Sequence, residues 1–355
     1  MSDGAGAALA GRAGGGGRGR SGARVGARGP VAERGGRTGG RRGLLAALGA
    51  GGLLAACRGI EPFGVSPTAG RWSSRAGLAV PRDDFGLVVL GERLYAIGGM
   101  TGARGNALDS VEVYDPRREA WSRGPRLGAP ASSLRAAALQ GRLYAAGGAR
   151  DNQEVDLVWT VAAEGSGRPL EAWQPAPPLR QARLGHGLAP LDGRLYAAGG
   201  LTGGEATADV EAFDPRSERW APVASLPEPR FNLALVALGG RLYAVGGSGP
   251  DRRPSPAVFV YAPAQDRWEP GPALPEPLSN FGAAVLDERR IHTLHHRRHF
   301  VLDPRRRAWA RARPMPTSRH GLGLGALGGR LFAVGGCSED PQRDLPTVEV
   351  FDPLV

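Results

Sequence analysis

Two groups of side chains in this 355-residue chain have the types and spacing to do chemistry. Arginine recurs ten residues after tryptophan: Arg82 after Trp72, Arg183 after Trp173, Arg230 after Trp220 and Arg319 after Trp309, with Ala131 and Leu278 at the two other places in the series. Guanidinium groups hold carboxylates and phosphates through paired hydrogen bonds, so four gathered together suit an anionic ligand. The same groups can serve hydrogen bonding inside a fold. The second group is histidine: His292, His295, His296 and His299 fall within eight residues and make four of the six in the chain. Neutral imidazole ligates metals. Here no carboxylate or cysteine is interleaved, and Arg297 and Arg298 repel a cation. An anion contact, or simply a solvated hairpin, fits this segment better than a metal. His186 and His320 stand near Arg183 and Arg319 and are candidates for the same surface. No cofactor is expected. The Gly-rich run at 11–19 lacks the flanking strand and helix of a phosphate-binding loop, and no Gly-x-Ser-x-Gly elbow occurs.

A third candidate is Cys57. Arg41-Arg42 precede the apolar run Gly43 to Ala56, which is too short to cross a bilayer as a helix. A basic pair, a short apolar stretch and small residues before a break make a secretory signal. Leu54-Ala55-Ala56-Cys57 resembles the lipobox of bacterial lipoproteins, in which the cysteine is acylated, and Arg41-Arg42 weakly resembles a twin-arginine export signal. The resemblance implies an exported protein held in a bacterial cell envelope by lipid on Cys57, periplasmic or surface-exposed. A secreted protein is the alternative, and a Cys57–Cys337 disulfide stays open. Residues 1–40 are Gly, Ala and Arg with few large apolar side chains, a composition that cannot offset chain entropy. They read as a disordered head or as a start assigned too early, with Val31 or Val25 as the expected initiator. The organisation is therefore 1–40 head, 41–57 signal, 58–69 linker and 70–355 folded body.

Charge narrows the partner class. The net charge of +11 is concentrated in the head, where nine arginines of residues 1–57 face only Asp3 and Glu33. The folded body is close to balanced, so no nucleic acid is expected. All basic residues are Arg, which reads as coding bias. With 57 Gly and 30 Pro, long helices are disfavoured.

The elements that position the candidates are visible as a repeat. Gly-Arg-Leu-Tyr-Ala-Ala-Gly-Gly at 141–148 recurs at 193–200, with close copies at 91–99, 240–247 and 329–336. A second segment follows, as in Val111-Glu112-Val113-Tyr114-Asp115-Pro116, and then a tryptophan. From Trp72, Trp121, Trp173, Trp220 and Trp309 the next repeat aromatic stands 23 residues on; from Trp268 to His292 the count is 24. Alternating β-formers predict strands, diglycine supplies positive φ, and Pro ends a strand. One such unit cannot bury its own faces, so units stack radially.

Diglycine, Tyr-Asp-Pro and Trp at 41- to 52-residue spacing resemble kelch repeats over about residues 70–355. The resemblance implies an all-β, six-bladed kelch-type propeller. The last unit ends after its third strand, so the segment near Trp72 is expected to complete it. It further implies a monomeric binding protein engaging a protein, peptide or glycan, possibly anionic, through a mouth ringed by Arg82, Arg183, Arg230 and Arg319, with His295, His296 and His320 beside it. Sialic-acid mutarotases of the bacterial periplasm share the fold, and the alternative is such an anionic-sugar isomerase, with Glu228 or Glu276 as base.

Overall fold

The computed structural model describes residues 69–102, 105–163, 171–339 and 342–353. The segments 1–40 and 41–57, with Cys57, lie outside the described residues, as does nearly all of the linker.

Six four-stranded antiparallel sheets are arranged as blades. Blade one runs through Gly86–Leu90, Arg93–Ile97, Val111–Asp115 and Ala120–Arg123. Blade two uses Arg135–Leu139, Arg142–Ala146, Val158–Ala162 and Gln174–Ala176, and blade three Gly187–Leu191, Arg194–Ala198, Val210–Asp214 and Arg219–Val223. Blade four is Ala234–Leu238, Arg241–Val245, Val258–Ala262 and Arg267–Pro270. Blade five is Gly282–Leu286, Arg290–His295, Arg298–Asp303 and Ala308–Arg311. Blade six contributes Gly323–Leu327, Arg330–Val334 and Val348–Asp352, and its fourth strand is the N-terminal Arg71–Arg75. Trp72 stands opposite Phe351 in that pairing. The free edge of blade six is thus covered by Arg71–Arg75, the first strand among the described residues, as the repeat predicts.

The first strand of each blade faces the axis, and large apolar residues fill the gaps between blades. Tyr144, Leu195, Phe213 and Trp220 share one such core between blades two and three, and Tyr196, Tyr261 and Trp268 share the next. The contacts of the third-strand aromatic with Trp within a blade are tilted aromatic pairs, with centroids 5.2 Å apart for Phe213–Trp220 and 5.0 Å for Tyr261–Trp268.

Three belts of hydrogen bonds sew the blades together. In the outer belt each registered tryptophan donates its indole N–H to a carbonyl four residues past the preceding tryptophan: Trp121 to Ala76 (2.9 Å), Trp173 to Pro125 (3.1 Å), Trp220 to Pro177 (3.0 Å), Trp268 to Ala224 (2.8 Å), Trp309 to Pro272 (2.8 Å) and Trp72 to Arg313 (3.2 Å). The register of these six residues is therefore a hydrogen-bonding requirement as well as a packing one. In the middle belt the second glycine of each pair donates its N–H to the next blade, as Gly99 does to Ala131 O (2.9 Å) and Gly336 to Arg82 O (2.8 Å). Gly99 has φ +94°, and a Cβ there would stand 2.6 Å from Asp83 O, so only glycine fits. Blade five keeps this bond without glycine: His296 takes φ +53° and donates to Arg319 O at 2.7 Å. The inner belt closes on itself around the axis. Asp84 N–H donates to Gly321, Ser133 to Asp84, Gly185 to Ser133, Asn232 to Gly185, Asn280 to Asn232 and Gly321 to Asn280, at 2.6–3.1 Å. All six residues have positive φ, which their short or polar side chains tolerate.

Candidate functional site

Strand direction puts the connections from second to third strand and from fourth to first strand on one face. The opposite face carries the short turns. On the loop face, blade one raises a small hairpin at Met100–Thr101 and Asn106–Ala107, blade two at Ala149–Arg150 and Gln153–Glu154, and blade three at Leu201–Thr202 and Glu205–Ala206. Blades four and six form bridged loops, Ser248 with Pro254 and Cys337 with Asp344. Neighbouring lips touch: Gly204 N–H donates to Glu154 Oε1 at 3.0 Å, and Arg252 donates to Gly204 O at 3.3 Å.

Blade five breaks the rim. His295 pairs directly with Arg298, so two residues replace the long connection. The result is a notch between the lips of blades four and six. Its floor holds His295, His296 and His320, with ring centroids 4.1 Å apart for the first pair and 5.4 Å for the second. His296 Nδ1 lies 3.1 Å from Glu339 Oε1, and Ser318 Oγ donates to the other oxygen of Glu339 at 2.8 Å. Burial, with His296, Arg298 and His320 nearby, pushes His295 down to about 3. Burial lowers His296 as well, although Glu339 opposes it. These two imidazoles are neutral near pH 7, and the exposed Arg297 and Arg298 carry the positive charge of the notch. Arg298 is held by Glu276 Oε2 at 2.8 Å.

The other two histidines of the segment are structural. His292 and His299 are buried, with His292 Nδ1 2.9 Å from His299 Nε2 and His299 Nδ1 3.1 Å from Arg313 O. Burial holds both below the ordinary imidazole range, His299 at about 4. His186 does not line the mouth either. It is fully buried between blades, and burial followed by the charges of Arg183 and Arg135 keeps it neutral.

The expected ring of guanidinium groups is corrected by its burial. Arg82, Arg183 and Arg319 are at most 1% exposed and point into their own blades. Arg82 reaches Glu112 at 2.8 Å and also donates to Gly98 O and Ser110 O. Arg183 reaches Glu211 at 2.8 Å and the carbonyls of Gly199 and Asp209. Arg319 reaches Glu349 at 2.5 Å and Ala333 O at 3.0 Å. Arg230 is the least enclosed, at 7% exposed; it pairs with Glu228 and donates to Ser255 Oγ at 2.9 Å. The carboxylates also bind backbone, since Glu112 accepts the N–H groups of Ala79 and Val80, and Glu211 that of Arg180. The Arg82–Glu112, Arg183–Glu211 and Arg319–Glu349 pairs therefore lock the incoming chain onto its blade, whereas Glu228 sits on the incoming segment beside Arg230 and blade four has Phe259 at the Glu position. Where Arg is replaced, its partner changes in step. Ala131 faces a unit with Trp159 at the Glu position, and Leu278 a unit with Phe300 there. The two glutamates considered as bases are likewise committed, Glu228 to Arg230 and Glu276 to Arg298 and Arg311.

Among the described residues, the arginine that does line the channel is Arg135. It opens the inner strand of blade two, where the other blades have Gly86, Gly187, Ala234, Gly282 and Gly323. Together with Asp84, Asn280 and the strand starts, it bounds an axial cavity of about 120 Å³. Its guanidinium donates to Leu134 O at 3.1 Å; burial lowers its pKa and Asp84 opposes the shift. In the sequence the signal for Arg135 is a single Arg among aligned Gly and Ala, a contrast that stands outside the tryptophan register of the other four arginines.

Closed belts, six repeated sheets and one face of raised loops define a six-bladed β-propeller. A family model described as the KLHDC2/KLHL20/DRC7 Kelch-repeats domain matches residues 84–293, more than half of the 355-residue chain, and a Kelch motif model matches 318–354. The chain belongs to the kelch-repeat family. It is similar to human Kelch-like protein 33, 35% identical over 130 residues that cover 36% of this chain and 24% of that protein. It is also similar to human Kelch-like protein 34, 32% identical over 148 residues covering 41% and 22% of the two chains. Human Kelch repeat and BTB domain-containing protein 12 is 33% identical over 93 residues, 23% of this chain and 15% of that protein. The chain spans a quarter or less of the length of these curated relatives.

Proposed function

We propose that this chain is a protein-interaction propeller. Its partner is a protein segment bearing acidic side chains, laid across the loop face at the blade-five notch. The observation that carries this reading is the break in the rim: one blade of six gives up its long connection and leaves His295, His296 and His320 half-buried beneath exposed Arg297 and Arg298. Membership of the kelch-repeat family supports an interaction role. Imidazoles offer hydrogen-bonding edges and flat faces, and the guanidinium groups beside them suit carboxylates. We further propose that the chain is exported in a bacterium and held at a membrane by acyl groups on Cys57, which would keep the propeller close to envelope partners.

Photo-crosslinking in cells tests the first part. A photoreactive residue at Arg297, Arg252 or Arg150 is expected to capture protein, and one in the opposite-face turns at Arg118 or Glu218 is not. Capture only from the opposite face overturns the reading. The intact mass of membrane-extracted protein tests the second: a chain beginning at Cys57 with fatty acyl mass supports it, and a mature chain retaining Arg41 overturns it.

A further inference from the structure

Cys337, the one cysteine among the described residues, is a buried free thiol at a crowded place. It lies in the long connection of blade six, directly after Gly335-Gly336, and bridges to Asp344 across that loop. From the other side of the seam comes Asp83, in the segment that leads into blade one. One ligating atom from each of Asp83, Cys337 and Asp344 lies within 4.8 Å of the others. Asp83 is 7% exposed, yet its Oδ1 has no hydrogen-bond partner. A buried carboxylate oxygen without a partner is costly, and native structures normally satisfy it with a donor, a water or an ion.

We propose that Asp83, Cys337 and Asp344 form a binding site for one divalent cation of borderline softness, with Zn²⁺ the natural occupant. Thiolate sulfur selects Zn²⁺ over the hard cations, and carboxylate oxygen is an accepted companion ligand. Zn–S of about 2.3 Å and Zn–O of about 2.0–2.2 Å bring tetrahedral ligand atoms to roughly 3.5 Å apart, so the set closes by side-chain rotation of about 1 Å. The backbone is already fixed. Asp83 exchanges both its backbone bonds with Met100 (3.1 and 3.0 Å), and Cys337 does the same with His320 (2.8 and 3.0 Å). Asp344 keeps its rotamer by accepting the Gly102 N–H on Oδ2 at 2.6 Å. A cavity of about 580 Å³, with Met100, Thr101 and Arg343 on its walls, opens onto the three groups and provides a path and room for a water as fourth ligand. The site joins the last blade to the first, so the ion would staple the closure of the ring.

Titration of the full chain with Co²⁺ alone tests this. One equivalent is expected to bind and to give a near-ultraviolet thiolate-to-cobalt charge-transfer band, which Zn²⁺ abolishes. Cys337→Ser is expected to remove the band, and Asp83→Asn to weaken binding at least about tenfold. Binding without the band, a band that survives Cys337→Ser, or no binding at one equivalent overturns the proposal. A second measurement needs no variant. Iodoacetamide labelling, located by peptide mass so that Cys57 and Cys337 are read separately, is expected to slow at Cys337 when Zn²⁺ is present and to recover with EDTA. Labelling of Cys337 that is indifferent to Zn²⁺ likewise overturns it.

Discussion

Replacing Arg319 by leucine isolates the energetics of the Arg–Glu locks. The guanidinium is fully buried and Glu349 is 4% exposed, so the substitution leaves a carboxylate inside blade six with, among the described residues, the Thr317 hydroxyl 2.8 Å away to satisfy it. Stranding one member of a buried ion pair costs about 3–5 kcal/mol. The protein already contains the apolar answer to the same position: blade five has Leu278 and Phe300, both fully buried. The double variant Arg319→Leu/Glu349→Phe copies it. It removes the stranded charge and replaces the pair with packed apolar volume, so the expected loss falls below about 2 kcal/mol and the coupling energy exceeds about 1 kcal/mol. Urea unfolding followed by tryptophan fluorescence measures both, provided the slope against urea is unchanged. A double variant less stable than the sum of the two single changes would refute the claim that polar and apolar fillings of this position are interchangeable.

Further outcomes follow from the same structure. His292 and His299 are buried neutral, so their folded-state pKa values lie below the unfolded value of about 6.5. Their stability contribution is complete above about pH 6.5 and is lost as pH falls toward about 4, where His299 titrates; that residue alone accounts for up to about 3 kcal/mol. His292→Tyr/His299→Val, the residues blade one carries there, is expected to flatten the stability profile between these limits, as read by melting temperature against pH. Trp220→Phe keeps an aromatic ring but orphans Pro177 O and is expected to cost about 1–2 kcal/mol in urea unfolding. Arg135→Ala removes the only large side chain at the starts of the inner strands and is expected to change stability by less than about 1 kcal/mol while abolishing any chloride or acetate dependence of the melting temperature.

Much of the ring was legible in the chain because its rules are local. Diglycine, Asp-Pro and tryptophan each mark a backbone or packing need that recurs at fixed spacing, and Trp72, one register ahead of the first full repeat, pointed to closure from the N-terminal side. The direction of a side chain was not legible in the same way. Ten residues past each tryptophan correctly placed Arg82, Arg183 and Arg319 at the start of a blade, but the repeat does not say whether the guanidinium turns toward the axis or into the sheet. The glutamates of Val111-Glu112-Val113, Val210-Glu211-Ala212 and Val348-Glu349-Val350 held that answer, since an acid inside an apolar strand needs a buried partner. The axial belt was hidden by its variety, because Asp84, Ser133, Gly185, Asn232, Asn280 and Gly321 share a backbone conformation rather than a residue type. The cluster of Asp83, Cys337 and Asp344 was hidden by distance along the chain: closure of the ring makes neighbours of its two ends.

Amide hydrogen exchange at residues 71–75, read by mass spectrometry of the full chain, probes that closure most directly. Pairing with Val348–Asp352 predicts that the ladder amides of both strands exchange slowly and with matching protection, comparable to the outer strands of the other five blades. Exchange of 71–75 at the rate of free peptide, with 348–352 behaving as an open edge, would contradict a six-bladed ring closed by its first strand.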